Sequence, residues 1–140
     1  MAKVLLMEDN TDRITQIIKP HNGRGGLYLG SQKAACDTNL LKSFSIRAVI
    51  TVAAELNNKY PKDFEHLKIN IDDQPLAYIY EHFEITYSFL NKNLQNGNVF
   101  VHCRMGISRS ASIVIAYIMR AYNYPYQKVS ITKYLGVCES

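Results

Sequence analysis

The chain has no tryptophan, and only three cysteines and four prolines among its 140 residues. Cys36, Cys103 and Cys138 are an odd, widely spaced set without a Cys-x-x-Cys pair. That excludes a disulfide scaffold and a cysteine zinc knot, and it suits a reducing compartment. No run of 18 apolar residues, signal peptide or lipidation motif appears, and Met1-Ala2 excludes amino-terminal myristoylation. There is no lysine or arginine run, and the net charge is a mild +4. Such a charge tolerates an anionic substrate but is not a nucleic-acid footprint. His21, His66 and His82 have no partners at metal-ligand spacing. The expectations are a cytoplasmic protein, with the nucleus as alternative, and neither a membrane nor a nucleic acid as partner. No metal or other cofactor is expected. With 47% hydrophobic and 20% charged residues the chain reads as one soluble domain over 1–140.

The chain then divides into short elements. Val4–Met7 form a brief apolar element before the polar run Glu8-Asp9-Asn10-Thr11-Asp12. Ile14–Ile18 predict a strand stopped by Pro20, and the glycine-rich turn His21–Gly26 predicts a hairpin back into Leu27–Gly30. No helix follows that turn directly, so its glycines and Arg24 read as turn residues and not as a phosphate loop. Ser31 is an N-cap for a helix through about Lys42, with Cys36 as a small apolar member. Arg47–Ala53 and Glu65–Ile71 predict strands, separated by a loop over Glu55–Asp63; Leu67, Ile69 and Ile71 share one face. Asp72-Asp73-Gln74-Pro75 ends the second of them. Tyr78–Gln95 predicts a long helix whose buried stripe is Ile79, Phe83, Thr86, Tyr87, Leu90 and Leu94. Beyond the break at Tyr122-Asn123-Tyr124, Pro125 suits the first turn of a last helix through about Tyr134. Strands alternating with helices predict an α/β (α+β) sandwich, with the functional loop at the carboxyl end of a central strand.

That loop lies between Val99-Phe100-Val101, a buried strand after the turn Asn96-Gly97-Asn98, and the apolar helix Ser110–Met119. It runs from Cys103 to Arg109 with Gly106 in its middle. A loop entering a helix N-terminus converges backbone N–H groups on one spot, where the helix dipole also favours negative charge. A cysteine there is stabilised as thiolate, the nucleophilic form. Arg109 can return as a planar fork and hold two oxygens of an anion. A thiolate, an anion hole and a fixed positive charge thus surround one phosphate-sized space. His102 is adjacent to Cys103, so its side chain leaves the strand on the opposite side; it reads as an organiser of the loop and not as a base.

The stretch HCRMGISRS resembles the signature loop of cysteine-dependent protein tyrosine phosphatases, His-Cys-x5-Arg-Ser/Thr. Its continuation through Ala116-Tyr117-Ile118-Met119 resembles the dual-specificity branch, as a small atypical member, and weaker similarity extends from about Gly26 to about Thr132. The resemblance implies a protein tyrosine phosphatase-like fold with a central, mostly parallel mixed sheet flanked by helices. It implies a phosphoprotein substrate, with phosphotyrosine and phosphoserine/threonine hydrolysed through a cysteinyl-phosphate. Cys103 would be the nucleophile, and the loop from Arg104 through Met105, Gly106, Ile107 and Ser108 to Arg109 would hold the phosphate. Ser110 matches the hydroxyl that hydrogen-bonds the leaving thiolate. The general acid falls on Asp73, counting back from Glu81-His82-Phe83-Glu84, with Asp72 the alternative.

The signature loop lacks the lysines of phosphoinositide phosphatases, which favours a protein over a lipid substrate. After Ser130-Ile131-Thr132 the sequence departs from the family's Arg…Pro-Asn segment, an abbreviated C-terminus that would expose apolar surface. A monomer is expected, with self-association as its alternative. The competing functions are a phosphoprotein-binding module that turns over poorly and, more remotely, a rhodanese-like sulfur transferase. Oxidation of Cys103 with Cys36 or Cys138 as partner is a regulatory alternative.

Overall fold

The computed structural model describes residues 14–71, 76–104, 108–124, 129–131 and 136–138, with the backbone alone at 76–78, 108 and the last two segments. Five strands form the main sheet: β1 (Ile14–Ile18), β2 (Leu27–Gly30), β3 (Ile46–Val52), β4 (Glu65–Ile69) and β5 (Asn98–His102). Their spatial order is β1-β2-β5-β3-β4. The edge strand β1 runs antiparallel to β2, and the other neighbours are parallel. This is the expected mostly parallel mixed sheet.

Parallel strands are covered on both faces, and their alternating side chains feed two cores. Ala48, Ile50, Val52, Val99 and Val101 face a core shared with Leu90, Val114 and Ile118, which come from α3 (Phe83–Asn93) and α4 (Ser108–Ala121). Val49 and Phe100 face the other core, shared with Ala34, Ala35 and Leu41. Fully burying a side chain of this size contributes roughly 1.5–3 kcal/mol. The exposed pairs Lys42–Asp63 at 4.0 Å and Lys92–Glu65 at 3.7 Å add at most about 1 kcal/mol each. Two-sided packing therefore dominates.

The hairpin forms as the turn residues predict. His21 and Arg24 exchange backbone hydrogen bonds of 3.1 and 2.8 Å around Asn22 and Gly23, both at positive φ. Arg24 does not bind an anion there: its guanidinium donates to Asn91 Oδ1 and the Tyr117 hydroxyl, tying the hairpin to α3 and α4.

Three expectations need correction. The helix from Ser31 breaks into α1 (Gln32–Ala35) and α2 (Thr38–Ser43), because Asp37 caps a second start by accepting from Leu40 N at 3.0 Å. Asp and Asn at such a point compete for backbone N–H groups and favour caps over helix interior. Cys36 consequently lies in the junction, exposed, and not in an apolar helix face. The long helix after Asp73 also changes character: Leu76–His82 is a 3-10 segment and only Phe83–Asn93 is α-helical. Finally, the predicted helix through Tyr134 is replaced over part of its length by strand β6 (Val129–Ile131), antiparallel to β7 (Gly136–Cys138). β-Branched Val129 and Ile131 oppose Cys138 and Gly136, with Ser130 opposite Val137, and β-branched residues suit strand better than helix. Val4–Met7 lie outside the described residues.

One close approach holds the lower end of the sheet. A Cβ on Gly25 would meet Gly97 O at 1.8 Å, and Gly25 N donates to Leu94 O at 2.6 Å. Gly25→Ala should therefore lower unfolding free energy by about 1–3 kcal/mol or more, read as a reduced urea midpoint.

Candidate active site

The site forms where β5 ends. Along this strand the side chains alternate, so Cys103 joins the core under α4 while His102 turns to the opposite face and stacks on Phe100 with ring centroids 5.6 Å apart. Cys103 and His102 are both fully buried. The opposite placement of the two side chains matches the sequence reading.

Ser110, in the first turn of α4, brings its hydroxyl to 3.3 Å from Cys103 Sγ, and it too is fully buried. This is the hydrogen bond expected of the residue after the signature arginine. Arg109 precedes it and is itself buried. Its guanidinium donates to both carboxylate oxygens of Glu55, at 3.2 and 3.1 Å, and to the Ile71 carbonyl at 2.9 Å. The fork is thus fixed by two segments that the parallel register carries to the same end of the sheet: the turn after β3 and the residue chain leaving β4. Ala54 N donates to Ile71 O at 3.0 Å and joins those two segments directly.

Glu55 was not among the residues singled out by sequence; it fell at the start of a loop between strands. Its position three residues past the buried strand β3 was the available signal, because that strand neighbours β5. Hydrogen bonding from Arg109 is the main cause that holds the Glu55 carboxyl below its ordinary pKa, with the charges of Arg109 and Arg104 helping and desolvation opposing. The acid is therefore a permanent anion at neutral pH, and it sets the orientation of the guanidinium rather than donating a proton.

Arg104 is exposed at the mouth of the site. Met105, Gly106 and Ile107 lie outside the described residues, as do Asp72 and Asp73; Ser108 opens α4, and its side chain is likewise not described. Among the described residues, no cluster of three His, Cys, Asp or Glu side chains could hold a metal ion. No helix among them is long and apolar enough to cross a membrane.

Behind the nucleophile candidate, His102 Nε2 lies 2.8 Å from Thr51 Oγ1. Burial pushes the His102 ring down to about 4, with the Cys103 backbone partly offsetting it and the nearby His66 adding to the fall. The imidazole is neutral, so it is no source of positive charge for a thiolate.

A model of the dual specificity phosphatase catalytic domain matches residues 27–133. The chain belongs to this family. Within the dual specificity phosphatases it is 41% identical, over 71% of its length, to a probable rhodanese domain-containing dual specificity protein phosphatase of Dictyostelium discoideum. It is 39% identical, over 74% of its length, to dual specificity protein phosphatase 1B of Arabidopsis thaliana. It spans 21% of the first protein and 62% of the second. Among solved structures it resembles the human tyrosine phosphatase-like serine/threonine/tyrosine-interacting protein, with a TM-score of 0.65, 33% identity and coverage of 72% of either chain.

The neutral state of His102 has a consequence for stability. Above pH 6.5, the ordinary histidine value, the ring is uncharged both folded and unfolded, and pH has no effect through it. As pH falls from 6.5 toward about 4, the unfolded chain takes the proton first, so the fold loses up to about 3 kcal/mol. Urea titrations at pH 7.5 and 4.5 should show this loss in the wild type and a smaller one in His102→Gln.

Proposed function

We propose that this chain is an active dual specificity phosphatase domain, hydrolysing phosphotyrosine and phosphoserine/threonine in proteins. The observation that carries the reading is the convergence of Cys103, Ser110 and a guanidinium fixed by Glu55 at the end of one strand. A binding module needs an anion cradle but has no use for a hydroxyl aimed at a buried thiol.

The reaction proceeds in two steps. The Cys103 thiolate attacks phosphorus, forming the S–P bond as the ester P–O bond breaks. Asp73 gives its proton to the leaving oxygen. Backbone N–H groups between Arg104 and Arg109, with the Arg109 fork, hold the equatorial oxygens as charge develops on them. Water then attacks phosphorus, Asp73 takes its proton, and the S–P bond breaks to release phosphate. Ser110 donates a hydrogen bond to the departing thiolate in this second step and keeps its proton. The whole cycle needs no redox partner and no metal. The cytoplasm, with the nucleus as alternative, and a monomeric state remain part of this proposal.

The test is hydrolysis of an aryl phosphate in EDTA across pH 4.5–8.5. The wild type should give a bell-shaped profile, Cys103→Ser none, and Asp73→Asn a profile without its basic limb. Arg109→Lys keeps the charge but loses the fork, and it should lower kcat by about 10²–10³. Ser110→Ala should leave a burst of released phenol followed by slow turnover, since only the second step needs the hydroxyl. A wild type that binds vanadate or phosphopeptide without turnover would establish the binding module instead.

A further inference from the structure

Thr51 Oγ1 lies 2.8 Å from His66 Nε2 and 2.8 Å from His102 Nε2. The three residues stand on β4, β3 and β5, adjacent strands of the sheet, and they link a half-buried ring to a fully buried one. A hydroxyl has one proton and two lone pairs, so it can donate to only one of the two ring nitrogens, and at least one ring must present an Nε2–H to it. The two histidines therefore cannot choose their tautomers independently.

The far nitrogen of His102 sets the direction. Nδ1 makes no hydrogen bond of acceptable geometry among the described residues. The Cys103 backbone is the polar group that acts on this ring, and it favours the protonated form. Nε2 already faces Thr51, so the Cys103 backbone, which favours the protonated ring, favours the hydrogen on Nδ1. With the hydrogen on Nδ1, Nε2 accepts from Thr51, and Thr51 in turn accepts from His66.

We propose that Thr51 and His66 are positioning residues for the nucleophile, forming a one-way chain from His66 Nε2–H through Thr51 Oγ1–H to His102 Nε2. The chain fixes the tautomer and ring orientation of His102, and through it the backbone that carries Cys103. It rests on the reading of Cys103 as the nucleophile.

The surroundings of His66 fit this role. The Tyr60 ring meets it edge-on at 4.7 Å, and the Tyr60 hydroxyl donates to Ala35 O at 3.0 Å, accepts from Asn58 Nδ2 at 3.2 Å and also neighbours the Thr51 side chain. Burial and then the charge of Lys68 lower the His66 pKa, keeping the ring neutral at pH 7. A neutral ring has one N–H, and Thr51 determines that it sits on Nε2.

The test combines ring ¹⁵N NMR with alkylation of Cys103 by iodoacetamide, in a Cys36→Ser/Cys138→Ser background so that one thiol reports. The wild type should show His102 as the Nδ1–H tautomer and His66 as the Nε2–H tautomer. Thr51→Val keeps the shape and loses the hydroxyl; it should cut the alkylation rate at pH 7 roughly tenfold, with Thr51→Ser restoring it. His66→Phe, at a half-buried position, should shift the His102 resonances in a protein that stays folded. An Nε2–H tautomer at His102 overturns the proposal. So does a folded Thr51→Val protein that alkylates like the wild type, since the threonine would then serve packing alone. The wild-type tautomers need no variant and no turnover, so a protein with the chain intact but no hydrolysis would overturn the phosphatase reading and leave the chain standing.

Discussion

Strand β5 runs between β2 and β3 with both of its faces covered, and the strict alternation of its side chains governs the site at its end. Val99, Val101 and Cys103 pack toward α4, and Phe100 with His102 packs toward α1 and α2. A slip of one residue would exchange the faces, putting a thiol where the imidazole stacks and an imidazole under the helix. Because the neighbouring strands are parallel and in register, their ends arrive together: His102 pairs with Gly30 on one side and Thr51 on the other. The residues that serve the site are collected there from across the sequence by this one geometric condition.

Charge at the site is organised in the same way. A buried guanidinium without a partner would be strongly destabilising, so the fold supplies Glu55 and a backbone carbonyl to Arg109. The same contacts hold the fork in one plane, so its side chain has little conformational freedom left to lose. The His102 ring, in contrast, is kept neutral by burial.

The local signals in the sequence were read correctly where one segment decides its own structure. Asn22-Gly23 makes its turn, the β-branched runs make β3 and β5, and the apolar run after Arg109 makes α4. The misreadings occurred where two local preferences compete. Asp37 offers a second cap inside an apparent helix, and Val129–Ile131 pair with a later segment instead of following Pro125 into a helix. Composition within a window cannot weigh a cap against propagation, or a distant strand against a nearby proline.

By itself the sequence determined the nucleophile candidate, its arginine and the hydroxyl that follows, because loop, strand and helix N-terminus are contiguous and their spacing is set by local chain geometry. It also determined that His102 and Cys103 part to opposite faces, since adjacent residues of a strand must. Only the tertiary structure decided that Glu55 would grip Arg109 and that Thr51 would stand between His66 and His102. These contacts join residues 54, 15 and 51 positions apart, and such pairs exist only once parallel strands have taken their order in the sheet.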